Sequence, residues 1–115
     1  MSETHQVVTD LDPAQARQLM SDGALVVDVR EPHEWAAGRI DGAVHHPLSA
    51  LDPVLLAAQQ RPVLAVCRSG GRSSRAAQVL AAQGGPAVYN LAGGMQAWAR
   101  AGLPMVADGE TPEVA

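Results

Sequence analysis

Short apolar runs bounded by turn residues govern what this chain can fold into. Ala24-Leu25-Val26-Val27 is unbroken rather than alternating, and Asp28-Val29-Arg30 follows it. A run that is apolar at every position has no face to turn to water, so it reads as a strand buried on both sides. Pro62-Val63-Leu64-Ala65-Val66 and Ala87-Val88-Tyr89-Asn90 are further strand-like stretches, and Gln6-Val7-Val8-Thr9 and Ala43-Val44-His45-His46 are shorter ones. Helix signals stand between them. Asp12-Pro13 and Asp52-Pro53 each place a capping carboxylate ahead of a proline suited to the first helical turn. Glu31-Pro32 opens a short helix that carries Trp35 and ends at Gly38. The best helical pattern runs from Ser73 to Gln83, with Ala76, Val79, Leu80 and Gln83 on one face and Gly84-Gly85 beyond it. A last helix follows Gly93-Gly94, from about Met95 to Ala101, and stops at Gly102 and Pro104. Strands alternating with helices predict an α/β domain, with a mainly parallel sheet covered by helices on both faces.

With 115 residues the chain suits one domain. Aromatic residues make up only 3% and Phe is absent, so the core is built from Ala, Val and Leu. The expected organisation is a disordered lead over residues 1–5, a domain over 6–105 and a disordered, acidic, proline-containing tail over 106–115. The net charge of -4 argues against nucleic acid, whose binding needs a basic surface. No apolar run has the length of a membrane span, and no basic segment followed by an apolar one marks a signal peptide. A cytoplasmic protein that does not engage membranes is the expectation.

Chemistry concentrates in Cys67-Arg68-Ser69-Gly70-Gly71-Arg72-Ser73, directly after the Pro62–Val66 run. In open α/β sheets ligands bind beyond the carboxyl ends of the strands, where this loop and the Asp28–Arg30 segment both lie. A free thiol is mostly protonated at neutral pH, but helix N-termini and nearby cations favour the thiolate. A helix beginning near Ser73 offers unpaired N–H groups. Gly70 and Gly71 can adopt positive φ, letting successive amides turn inward as an anion nest. Arg68 and Arg72 add planar cationic donors, and Ser69 and Ser73 add hydroxyls. The bland alternative is an inert cysteine in a tight turn. Two glycines, two arginines and two serines are poor material for a core turn and good material for an oxyanion cradle. Cys67 is the only cysteine, which excludes an internal disulfide and an internal resolving thiol.

Other polar and aromatic residues have simpler expectations. Asp28 and Arg30 read as a structural ion pair or turn cap, with bracing of the loop as the functional alternative. His45 and His46 are adjacent on a strand and point to opposite faces, so they do not share a metal. Trp35 and Trp98 read as core anchors, Glu31 and Glu34 as first-turn carboxylates favoured by the helix dipole, and Gly93-Gly94 as a turn.

Three stretches together resemble the rhodanese family, in its single-domain members. They are Val27 to Trp35 with Gly38 to Ala43, the Cys67–Ser73 loop, and Asn90 to Trp98. The resemblance runs from about Val7 to Pro104. It implies a three-layer α/β/α fold and sulfur transfer without cofactor or metal. Cys67 would carry a sulfane sulfur from a donor such as thiosulfate to cyanide or a thiol, with a protein acceptor as one version. Arg68 and Arg72 would hold the sulfonate, and the loop from Ser69 to Ser73 would stabilise the persulfide anion. Related folds host cysteine phosphatases and arsenate reductases, whose loop is one residue longer than the six residues from Cys67 to Arg72. A persulfide carrier or partner-binding module is the other alternative. The family more often has Asn or an apolar residue near His45 and His46, so the local surface there departs from its pattern.

Overall fold

The computed structural model describes residues 7–115; the expected lead over 1–5 lies outside them. Five strands form one sheet: β1 (Thr9–Leu11), β2 (Leu25–Asp28), β3 (Val44–His45), β4 (Val63–Val66) and β5 (Val88–Leu91). All the pairings are parallel, in the order β1-β5-β4-β2-β3. Helices α1 (Pro13–Ser21), α2 (Pro32–Ala37), α3 (Pro53–Ala57), α4 (Gly71–Ala81) and α5 (Gly94–Arg100) alternate with them, and a 3-10 turn spans Leu48–Ala50. No helix among the described residues is long and apolar enough to cross a membrane.

The unbroken apolar runs became β2 and β4, which pair side by side within the sheet. Every residue of β2 and β4 is buried. Successive side chains in a strand point to opposite faces, so each run feeds two cores. Leu25, Val27 and Val29 of the first run join Val63, Ala65 and Cys67 beneath Ala76, Ala77 and Leu80 of α4. Val26, Leu64 and Val66 project the other way, onto Ala16 of α1 and Met95 and Trp98 of α5. Three layers follow directly from this alternation. Small alanines on α4 seat that helix against the sheet.

The Asp-Pro starts behave as expected. The Asp12 carboxylate accepts from the Gln15 amide at 2.8 Å, and Gln15 Oε1 accepts from the Asp12 amide at 2.9 Å, a closed capping box. Asp52 caps α3 through the Leu55 amide at 3.0 Å. Four expectations shift. The first strand lies at Thr9–Leu11 instead of residues 6–9, because its register follows its pairing with Tyr89–Leu91. Helix α4 starts at Gly71, two residues before Ser73. Trp35 is only half-buried: it stacks on His45 with ring centroids 4.7 Å apart, and the Arg39 guanidinium lies 4.7 Å from its centroid. Trp98 is a core anchor, with Nε1 donating to the Pro104 carbonyl at 2.9 Å.

The fourth shift concerns residues 106–115, which lie along α2 rather than free. Arg39 and Val106 exchange backbone hydrogen bonds at 2.8 and 2.9 Å. The Asp108 and Glu113 amides donate to the carbonyls of Ala36 and Ala37 at 3.0 and 2.9 Å. Those carbonyls belong to the end of a helix, where no intrahelical donor remains. A Cβ at Gly38 would collide with the Glu113 backbone and the Met105 side chain, so this glycine admits the passing segment.

Asp28 and Arg30 form the structural ion pair expected of them. Both are buried, and Arg30 Nε and Nη2 grip the Asp28 carboxylate at 2.8–3.1 Å. Nη2 also donates to the Gly38 carbonyl at 2.7 Å, tying the end of β2 to the end of α2. Arg30→Met would leave a buried carboxylate without its counter-charge. A loss of about 3–5 kcal/mol in folding stability is expected, measured by urea unfolding; a change below about 1 kcal/mol would contradict the structural role of the pair.

Candidate active site

Strand β4 ends at Val66, and the next residue, Cys67, is buried. The chain then turns through exposed Arg68 and Ser69 to Gly70, whose φ of 107° is a left-handed conformation open to glycine. That single residue redirects the chain into α4. Gly71 therefore enters the helix directly; the positive φ expected of it is found only at Gly70.

No side chain at the N-cap position Gly70 caps α4. The cysteine sulfur takes over the task. Cys67 Sγ accepts from the Gly70 amide at 3.0 Å and lies 3.2 Å from the Ser73 hydroxyl oxygen. The Ser73 and Ser69 amides also favour its charged form. Ser73 is the third residue of α4, the one whose amide an N-cap side chain ordinarily satisfies. Burial is the largest influence on the thiol and pushes its pKa up. The Ser73 hydroxyl and the Ser73, Gly70 and Ser69 amides together outweigh it, and the net shift is downward.

The loop is held open-handed by α5. Met95 and Gln96 amides, at the N-terminus of that helix, donate to the carbonyls of Cys67 and Arg68 at 2.8 and 3.0 Å. The Arg68 carbonyl and the Ser69 N–H belong to one planar trans peptide and point in opposite directions. Fixing the carbonyl on α5 thus aims the amide at the sulfur. The approach is so close that a Cβ on Gly94, itself at φ 58°, would lie 2.5 Å from the Cys67 carbonyl oxygen. Gly93-Gly94 is therefore a docking point for the loop as well as a turn.

The two loop arginines are differently placed from the expectation of a bare anion clamp. Arg72 Nη1 and Nη2 both reach the Glu34 carboxylate at 2.8 Å. Arg68 Nε donates to the Ala115 carbonyl at 3.0 Å, and Gln96, with its amide oxygen toward the guanidinium, accepts from Arg68 at 2.9 and 3.3 Å. Glu34 does more than its place in a first helical turn implies. It is a first-turn carboxylate of α2, accepting from the Glu31 amide at 2.9 Å, but it is buried and faces Arg72. The Arg72 hydrogen bonds hold its pKa down to about 2 against the opposing effect of burial, with help from the Glu31 amide and the charges of Arg72 and Arg30. Glu34 in turn raises the pKa of Arg72, to which the charge of Cys67 contributes. Asp28 and Arg30 stand behind this layer, and none of their hydrogen bonds reaches the loop.

Asn90 is the second residue that local sequence did not single out as part of the site. It ends up beside Ser73, with Oδ1 accepting from the Ser73 hydroxyl at 2.6 Å. His45 plays no part in the loop; its Nε2 is 2.7 Å from the Arg30 carbonyl.

The site is thus a buried thiol met by a helix N-terminus and loop amides, in a six-residue loop at the end of a parallel strand. The Rhodanese-like domain family covers residues 12–101. The chain belongs to the rhodanese family. A thiosulfate sulfurtransferase GlpE of Pseudomonas paraeruginosa is 40% identical over 99 residues, 85% of this chain and 87% of that protein. A sulfurtransferase of Allochromatium vinosum is 40% identical over 105 residues, covering 88% and 97%. The rhodanese-related protein of Thermoplasma volcanium superposes with a TM-score of 0.77 at 27% identity, over 85% of this chain and 97% of that one.

Two outcomes follow from this rhodanese geometry. Glu34 has its pKa lowered from 4.5 to about 2, so its pairing stabilises the fold above pH 4.5 and is lost as pH falls toward 2. The contribution is roughly 3 kcal/mol, and Glu34→Gln should abolish that part of the acid dependence in pH-resolved urea unfolding. Gly94→Ala should displace α5 from the loop. Alkylation of Cys67 by iodoacetamide at neutral pH should then slow, since the amides are no longer aimed at the sulfur.

Proposed function

We propose that this rhodanese moves a sulfane sulfur from thiosulfate to cyanide or a thiol by way of a Cys67 persulfide. The observation that carries the reading is the ring of donors on Cys67 Sγ, from Gly70, Ser69 and Ser73, in a loop just six residues long from Cys67 to Arg72. Relatives about 40% identical over most of the chain bear the name thiosulfate sulfurtransferase, which supports the same donor here.

In the first half-reaction the Cys67 thiolate attacks the outer sulfur of thiosulfate. The S–S bond of the donor breaks, sulfite leaves with the bonding pair, and the enzyme holds Cys67–S–S⁻. The negative charge now rests one atom further out. Amides of the loop are suited to it, because they are fixed dipoles that need no rearrangement during the step. In the second half-reaction cyanide or a thiolate attacks the terminal sulfur. Its bond to Sγ breaks and the Cys67 thiolate returns. With one cysteine in the chain, the acceptor comes from outside.

Arg68 and Arg72 are proposed to hold the sulfonate end of the donor. A guanidinium has five N–H donors, and Glu34 engages only one face of Arg72. Arg68, Ser69 and Gly71 are exposed, so the loop presents its outer side to an arriving donor. A protein thiol as acceptor, and a cytoplasmic setting where thiols are plentiful, belong to the same proposal. Cys67→Ser is expected to abolish thiosulfate:cyanide sulfur transfer. In wild-type protein, intact mass should show one sulfur atom gained from thiosulfate and lost on adding cyanide. Turnover persisting in the serine variant would refute the reading.

A further inference from the structure

We propose that Asn90 is a positioning residue that competes with Cys67 for the single proton of the Ser73 hydroxyl, and so controls how readily Cys67 ionises. The inference rests on Cys67 being the sulfur carrier, and it concerns how its reactive form is produced.

The geometry dictates the proton positions. Asn90 Nδ2 donates to Asp10 Oδ1 at 3.1 Å and to the Gly70 carbonyl at 3.3 Å. Both partners accept only, so they fix which way the amide faces. Its oxygen must then be the atom 2.6 Å from Ser73 Oγ. A carbonyl oxygen cannot donate, so the Ser73 proton lies on that line. Ser73 Oγ is also 3.2 Å from Cys67 Sγ, and both Ser73 and Asn90 are buried. With the proton committed to Asn90, Ser73 offers Cys67 a lone pair. That arrangement suits the thiol, whose S–H can donate to Oγ. The thiolate needs the opposite: the hydroxyl must turn to Sγ and leave Asn90 Oδ1 without its donor. Asn90 therefore acts against ionisation, whereas the Gly70, Ser69 and Ser73 amides act for it.

The chain of hydrogen bonds runs from Asp10 on β1 through Asn90 on β5 and Ser73 on α4 to the sulfur. Asp10 precedes residues 12–101, over which the family match extends, so its hold on Asn90 lies outside that match. The other charged groups around the sulfur are Arg72, with Glu34 behind it, and Arg68 on the loop. None of them exchanges a hydrogen bond with Ser73 or Asn90. Removing Asn90 leaves its neighbours satisfied: the Gly70 carbonyl still accepts from the Ser74 amide at 3.1 Å, and Asp10 is exposed.

The test is the pH dependence of Cys67 alkylation by iodoacetamide, followed by intact mass. Asn90→Leu, of similar volume and without an acceptor, should move the titration midpoint down by about one pH unit, a tenfold gain in the ionisation equilibrium. Ser73→Ala should move it up. In the double variant the Asn90 change should have no further effect, because it acts only through the Ser73 hydroxyl. Asn90→Ala carries the same expectation should the leucine variant be unstable. A midpoint that rises or stays put in both Asn90 variants, or that falls equally with and without the Ser73 hydroxyl, overturns the proposal. Variants that show these shifts, with a wild-type protein that gains no sulfur from thiosulfate, would refute the sulfur-transfer reading and leave the assignment of Asn90 standing.

Discussion

Two backbone hydrogen bonds, from the Met95 and Gln96 amides in the first turn of α5 to the carbonyls of Cys67 and Arg68, hold the site in its working shape. A loop that must turn N–H groups toward a sulfur must turn its carbonyls away from it. Those carbonyls face the backbone at Gly94 and need donors of their own. Helix N-termini carry unpaired donors. Docking α5 against the loop satisfies both needs at once, and only the missing side chain of Gly94 allows the approach. The buried side of α5, Met95 and Trp98 against Leu64 and Val66, holds the helix at that distance. The position of an amide near Sγ is thus set by core packing on the opposite face of the sheet.

The division of labour between dipoles and charges follows. The sulfur is approached by amides and a hydroxyl, and the loop arginines are largely engaged by the protein itself: Arg72 by Glu34, Arg68 by Gln96 and Ala115. Amides stabilise a thiolate without presenting a full positive charge, so they assist ionisation without trapping the anion as an ion pair. A persulfide that must be handed on benefits from such moderate stabilisation. A sulfur bound too firmly in either state would slow one half-reaction.

Much of this was legible in the sequence, for identifiable reasons. The inner strands announce themselves because burial on both faces leaves no polar position in Leu25–Val27 or Val63–Val66. Helix starts were legible at Asp12 and Asp52 because capping is a local interaction. The loop was legible because its residue types are unusual together. Edge strand β1 was misplaced because Thr9–Leu11 gains its structure from Tyr89–Leu91, some eighty residues away. Glu34 and Asn90 escaped for the same reason. A carboxylate in a first helical turn is self-explanatory until a guanidinium thirty-eight residues on is seen to face it. Composition alone predicts a disordered tail, yet residues 106–115 find unpaired carbonyls at the end of α2 and a glycine that lets them pass.

The contrast between the two buried ion pairs clarifies what each is for. Asp28–Arg30 is closed off from water on both sides and tied to the Gly38 carbonyl, so its charges pair with each other at the buried end of β2 and are unavailable to a ligand. Glu34–Arg72 has a buried acid and a guanidinium whose side chain is 30% exposed. An ion pair with one solvated partner keeps part of its hydrogen-bonding capacity free, and here that part lies beside a sulfur whose charge Arg72 feels. The fully buried pair stabilises the platform. The half-open pair places a cation at the rim and fixes its direction, and under the proposed function an incoming sulfonate would meet an oriented donor rather than a flexible side chain. Pre-orientation of that kind lowers the entropy lost on binding a small ligand, and it uses the same carboxylate that begins α2.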